Sequence, residues 1–419
     1  MKPLLRKILN TGFARFIGLL IAFAIGVIIS RFFGAEGKGQ LTLLLLVPTL
    51  VSTYFAFSIE EGFLYYFGLK KISNKIFNFL VLRLSLLIFP IFLIVYLSFF
   101  FLVDNYDYYF VPQIILIFCL FFAIVFKYSL RGLHEFKSFN KVLLFEPFIT
   151  LIGVLFIIYY NLDIRNVLWA YIIGYIVLFP YQYFIIIKKK KIITSNLSLK
   201  KIFNYSYKVH FFKILNFTEN KFDILLIGYF LSTTQVGIYS VSVAVSVIFQ
   251  SLIQTPISTI LLPSLIKSKN ELRPKLTKDY FIISSMLALM FIIGLLFFGK
   301  FFVVMIYGAE FEASYIPLVI LSFGALAKSP STCINSFFKS CGKPEELYKT
   351  SIYSVFVNII LCILMIPKYG IVGASIASSI SYFLYSAIMI YKFLNTTKIT
   401  FLKLIFPTKS DFQNLKKKL

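Results

Sequence analysis

Lys213, Glu219, Lys221 and Asp223 fall within one run, Asn204 to Gly237 (NYSYKVHFFKILNFTENKFDILLIGYFLSTTQVG), that is long enough to cross a bilayer. A charge near the middle of a membrane helix costs at least about 2.5–3.5 kcal/mol, so such residues face a protein interior or a wet cavity. Lys213 and Lys221 are eight residues apart. That places them about 80° apart on one side of a helix, where both can line one cavity wall. Two or three cations in a low-dielectric pocket attract a multiply charged anion such as a pyrophosphate. Glu219 and Asp223 are four apart and share a face, whereas Lys221 lies two positions from each and points elsewhere.

Arg15 is the counterpart of Lys213. When Gly237 is laid on Gly39 the two cations coincide, and both apolar spans end in an aromatic residue and a short polar turn, Phe33 to Gly39 and Phe230 to Gly237. Internal repeats of this kind are common in transporters, whose substrate sites lie between the halves. Lys328 is a fourth candidate for a cationic cavity. For Arg15 and Lys213 the competing reading is that the long side chain snorkels to the membrane interface. Glu60, Glu61 and Glu146 are the other acids expected inside spans. With Glu219 and Asp223 they are candidates for ion coupling or for charge pairing, Arg83 and Arg15 being available as partners.

Covalent chemistry finds little support. The chain has two histidines, His134 and His210, and neither has a metal-ligand or nucleophile partner at a recognisable spacing. Cys119, Cys333, Cys341 and Cys362 lie in or near apolar spans without metal-ligand spacing and read as small apolar fillers. There is no phosphate-binding glycine loop. The expectation is a protein that is not an enzyme and needs no metal or other cofactor.

These residues must be positioned by membrane helices. Of 419 residues, 59% are hydrophobic, 19% aromatic and 14% charged, against about 25% charged in soluble domains. The net charge of +25 comes from basic clusters between apolar runs, the pattern of the positive-inside rule rather than of a nucleic-acid binder. At about 20 apolar residues per crossing, twelve spans are expected, roughly 9–30, 40–68, 77–103, 110–131, 142–160, 167–187, 205–231, 237–262, 279–299, 314–338, 348–366 and 371–393. The basic, apolar start is read as a retained first helix, since no small-residue cleavage site follows it.

With both termini cytoplasmic, only Arg31, Lys38, Arg165, Lys300 and Lys368 fall in outward turns, and only Arg15, Arg83, Lys213, Lys221 and Lys328 within spans. The basic stretch Lys188 to Lys201 separates two six-helix halves. This gives an N-terminal lobe over 1–190, a cytoplasmic linker over 191–204, a C-terminal lobe over 205–395 and a basic tail over 396–419. Pro48, Pro90, Pro147, Pro256, Pro317 and Pro330 fall within spans and suit bent helices around an opening.

Four stretches, RFFGAEGKGQ (Arg31 to Gln40), KFDILLIGYFLSTTQVGIYSVSVAV (Lys221 to Val245), MIYGAEFEAS (Met305 to Ser314) and GIVGASIASSIS (Gly370 to Ser381), resemble the Wzx-type polysaccharide flippases. These belong to the multidrug/oligosaccharidyl-lipid/polysaccharide exporter (MOP) superfamily, and the likeness spans nearly the whole chain. The resemblance implies an all-α, MATE-like membrane protein of twelve helices, in two pseudo-symmetric six-helix lobes around a central cavity that opens alternately to each side. It implies transfer of undecaprenyl-diphosphate-linked oligosaccharide repeat units to the outer leaflet of the bacterial cytoplasmic (inner) membrane, for O-antigen or capsule. The implied partners are that lipid-linked substrate, membrane lipids and other membrane proteins of polysaccharide assembly, with no nucleic acid. The implied cationic cavity is carried onto Arg15, Lys213 and Lys221. The drug exporters' cation-site acids have no secure match, and the two additional helices of peptidoglycan-precursor flippases find no room. A cation-coupled drug exporter of the same fold would show more acids than bases in its cavity. A membrane polysaccharide polymerase would show a large outward loop, and the expected outward loops are short.

Overall fold

The computed structural model describes residues 2–68, 110–188, 199–397 and 399–405, and these are helical throughout apart from short turns. Eight of the helices are long and apolar enough to cross a membrane, so the chain is a multi-pass membrane protein. Phe156, Phe297, Phe301 and Met305 are exposed on such helices. That exposure suits side chains turned to hydrocarbon, where burial in a protein core is not needed.

Two of the eight helices contain a break; the second covers two expected spans, and the first covers one and most of the next, whose end is the separate helix Ile59–Gly68. Lys2–Phe55 is interrupted at Gly34 (φ 68°, ψ −171°) and Glu345–Thr397 at Gly370 (φ 58°, ψ −141°). Both conformations cost a Cβ-bearing residue dearly, and glycine meets them without a clash. The polar turns expected there are thus compressed to single residues. The helix Leu199–Phe230, which carries Lys213, Glu219, Lys221 and Asp223, is not among the eight, because these charges and its polar first turns dilute its apolar run. The third expected span, 77–103, lies outside the described residues, as do Arg83, Pro90, residues 189–198 of the basic stretch and the tail from 406 onward.

The repeat read from Arg15 and Lys213 has a counterpart in the helix breaks. The same superposition that lays Gly237 on Gly39 lays Ser232 on Gly34. Gly34 interrupts the first helix; Ser232 is extended (φ −96°, ψ 161°) and caps Thr233–Lys267 through its side chain, which accepts a bond from the Gln235 N–H.

The chain divides into two compact units, Met1–Phe217 and Thr218–Leu419. The division falls inside the helix Leu199–Phe230, later than the expected linker over 191–204. In the first unit Val51, Ile59, Phe63, Ile117, Phe121 and Ile202 belong to one buried apolar cluster, which joins Ile59–Gly68, Phe110–Gly132 and the start of Leu199–Phe230. A Cβ at Gly62 would run into Ile202 and Ser206, so the glycine is what lets Ile59–Gly68 lie close against that helix. In the second unit a run of small polar residues is buried beside large apolar side chains such as Phe311, Phe337 and Phe393. Ser375, Ser378, Ser379 and Ser381 are all buried, with Ser351, Ser354 and Asn358 buried on the preceding half of the same broken helix. Small hydroxyl residues let membrane helices approach closely and bond across the contact.

Candidate functional site

In the first unit the helical course stops after Phe55 and resumes at Ile59. Phe57 (φ 48°) and Ser58 (φ 49°) turn the chain in the left-handed region, unusual for residues with a Cβ. Ser58 Oγ and His210 Nδ1 share a hydrogen bond of 3.2 Å, and the Phe57 and His210 rings lie 5.3 Å apart between centroids. The turn brings Glu60 and Glu61 into the first turn of Ile59–Gly68, where the helix dipole favours negative charge. Glu60 is fully buried. Its Oε1 accepts from Lys213 Nζ, while its Oε2 is buried with no hydrogen-bond partner among the described residues. The Lys213 side chain retains 28% exposure. Glu61 lies in the fields of Glu60, Arg131 and Lys213, and the Arg131 guanidinium sits 5.0 Å from the Tyr128 ring centroid.

A second ion pair of this unit joins Lys127 to Glu146. Lys127 Nζ reaches both carboxylate oxygens, at 2.7 and 2.6 Å, and lies 5.7 Å from the Tyr175 ring centroid. Arg15 is placed differently: it is exposed beside exposed Phe13 and Phe16, and no ion pair holds it among the described residues.

In the second unit Glu219 is buried and both of its oxygens are met. Oε2 pairs with Lys328 Nζ at 3.0 Å and Oε1 accepts from Ser354 Oγ at 2.6 Å. The Lys328 ammonium stands 3.8 Å over the Tyr382 ring, a cation–π contact. Asp223 is buried as well. It accepts from the Ile224 N–H at 2.8 Å, the Tyr239 hydroxyl at 2.5 Å and the Ser378 hydroxyl at 3.3 Å. Asn358 Nδ2 donates in turn to Ser378 and Ser381. Lys221 is half-buried, with Asp223 as its electrostatic neighbour.

The structure therefore sorts the charges into pairs. Lys213 meets Glu60, Lys328 meets Glu219, and Glu146 meets Lys127 rather than Arg15. Lys213 and Lys221, expected on one wall, belong to different compact units. Lys127 is within the helix Phe110–Gly132, which covers the expected span 110–131. Sequence reasoning set His210 aside for want of a metal or nucleophile partner, and passed over Ser58, Ser354, Tyr382, Tyr239 and Asn358. Only His210 carried a local signal: it lies three residues before Lys213, on the same face of the helix. No group of His, Cys, Asp or Glu among the described residues could hold a metal ion.

Known proteins resemble this chain in sequence and in fold. The profile of a family described as polysaccharide biosynthesis protein matches residues 69–317. The probable low-salt glycan biosynthesis flippase Agl15 of Haloferax volcanii is 27% identical over 187 residues, 44% of this chain and 39% of Agl15. The capsular polysaccharide biosynthesis protein CapF of Staphylococcus aureus is 32% identical over 151 residues, 35% of this chain and 38% of CapF. The chain thus spans about two fifths of the length of the curated relatives it matches. Among solved structures, the lipid II flippase MurJ in an inward closed conformation superposes with a TM-score of 0.70 at 16% identity, covering 99% of this chain and 95% of that one. An inward-facing multidrug resistance MATE family transporter of the MOP superfamily gives 0.69 at 13%, covering 91% and 94%. At such identities the likeness speaks to the fold alone.

Proposed function

Since the chain belongs to the polysaccharide biosynthesis protein family, we propose that it is a flippase for lipid-linked oligosaccharide. It carries undecaprenyl-diphosphate-linked repeat units from the cytoplasmic to the outer leaflet of a bacterial inner membrane, for a surface polysaccharide such as O-antigen or capsule. The observation that carries this reading is the family match over residues 69–317; the flippase names of Agl15 and MurJ support it. Twelve crossings are proposed, with both termini cytoplasmic. The broken helices at Gly34 and Gly370 each count as two, and Leu199–Phe230 and the stretch 77–103 are added to the others. The lobes are taken as 1–190 and 205–395, joined by the linker 191–204, with the tail 396–419 in the cytoplasm.

In this reading no bond is made or broken. Arg15, Lys213 and Lys221 supply positive charge for the diphosphate, the lipid tail stays in the bilayer, and alternating access exposes the headgroup to the other leaflet. Moving negative charge outward across an inside-negative potential is favourable by about 2.3 kcal/mol per charge per 100 mV. Glu60, Glu146 and Glu219 neutralise lysines, which leaves Glu61 and Asp223 as the acids for ion coupling.

The experiment is reconstitution of the full-length chain in liposomes containing a fluorescent undecaprenyl-diphosphate-linked oligosaccharide. Transfer is read by the fraction that a membrane-impermeant quencher can reach. Protein-dependent acceleration is expected, slowed by Arg15→Gln without loss of folded protein because Arg15 is exposed. Transfer no faster than in empty liposomes would sink the proposal.

A further inference from the structure

Among the described residues, the three lysine–glutamate pairs with the least exposed glutamates are finished to different degrees. Glu146 gives both oxygens to Lys127. Glu219 gives one oxygen to Lys328 and the other to Ser354. Glu60 gives one oxygen to Lys213 and, among the described residues, leaves the other buried and unpartnered. A buried carboxylate oxygen without a donor is costly, and a chain that satisfies the same group twice elsewhere has left this one open.

Three features of the surroundings suit an exchange of partners. Lys213 is the most exposed cation of the three pairs, at 28% against 21% and 18%, so it is the least enclosed of the three. Glu60 sits directly after the left-handed turn at Phe57 and Ser58, a strained conformation of the kind found at switch regions. Arg131 acts on Glu61 next to it, so the first turn of Ile59–Gly68 has another cation in its field when Lys213 is engaged elsewhere.

Resting on the flippase reading, we propose that Glu60 is a built-in stand-in for the substrate's phosphate. In the free protein its carboxylate occupies the anion position on Lys213. A diphosphate binds by displacing it, and departure of the diphosphate is helped by Glu60 returning. The ligand class is a diphosphate, and Lys213 reads its charge. The lysines of the two completed pairs are not exchanged in this way. His210 is a positioning residue: through Ser58 it holds the turn that aims Glu60 at Lys213.

The test uses the unaltered full chain in detergent. Dicyclohexylcarbodiimide, which partitions into the micelle and reaches buried carboxyls, joins a carboxyl and an amine in contact into an amide and takes up the lost water as its urea, and mass spectrometry of the digest counts the Glu60–Lys213 and Glu146–Lys127 links. Undecaprenyl diphosphate, inorganic pyrophosphate and undecaprenol are added separately, and binding of each is measured by calorimetry on the same preparation. At ten times Kd, undecaprenyl diphosphate is expected to lower the Glu60–Lys213 link about tenfold, by mass action, leaving the Glu146–Lys127 link unchanged. Undecaprenol is expected to change neither. The same loss with inorganic pyrophosphate assigns recognition to the diphosphate itself; loss with the lipid diphosphate alone assigns it to the headgroup on its lipid. Both outcomes support displacement. Calorimetric binding with an undiminished Glu60–Lys213 link overturns displacement while sparing the flippase reading. Absence of binding by the lipid diphosphate overturns both, and a link that never forms in the free protein overturns the pair.

Discussion

The pair Lys213–Glu60 in the first compact unit and the pair Lys328–Glu219 in the second have the same chemistry and opposite finish. Both acids are buried. Around Glu219 each oxygen has a partner: Lys328 donates to one, the Ser354 hydroxyl to the other, and the Tyr382 ring covers the ammonium. Around Glu60 one oxygen has no partner among the described residues, and the lysine side chain is 28% exposed. A buried ion pair recovers its desolvation cost only when its remaining lone pairs and protons are satisfied. The second pair therefore reads as architecture. The first is cheaper to take apart, which is what a site that exchanges anions requires.

The largest effect expected from this contrast is in the finished pair. Lys328→Gln strands the Glu219 charge and should lower stability by about 3–5 kcal/mol, measured by chemical unfolding of the purified chain in detergent. A much smaller loss would mean that Glu219 is wet, and the contrast would collapse. Ser354→Ala should cost about 1.5–3 kcal/mol, the range for a hydrogen bond to a charged group. In the open pair, His210→Phe keeps a ring against Phe57 and removes the bond to Ser58, so about 0.5–1.5 kcal/mol is expected in the same assay. That variant should also loosen the aim of Glu60, lowering the yield of the Glu60–Lys213 carbodiimide link. An unchanged yield would remove the positioning role. Least of all, Lys300→Gln breaks a pair with Glu312 whose side chains are 61% and 53% exposed, and no measurable change in unfolding is expected because solvent screens such pairs.

Much of this was legible in the sequence, and the limits have a physical pattern. Long apolar runs announce the helices, and Gly34 and Gly370 mark the breaks because few other residues take those backbone angles. The shared face of Glu219 and Asp223 followed from their spacing, and both are buried in the same unit. The partners did not follow. Lys213 and Glu60 are 153 positions apart, and Lys328 and Glu219 are 109 apart, so no local periodicity joins them. Cations in spans were consequently read as a set facing one cavity, whereas two of the four are neutralised by acids of their own unit.

The account turns on whether Lys213 is where a lipid diphosphate binds, and a neutral pair tests that without stranding a charge. Lys213→Gln combined with Glu60→Gln removes both members, so stability should stay close to that of the unaltered chain. Calorimetric titration of this double variant with undecaprenyl diphosphate should give a Kd at least about tenfold weaker, a loss of about 1.4 kcal/mol. A well-folded double variant that binds the lipid diphosphate as tightly as the unaltered chain would contradict the account.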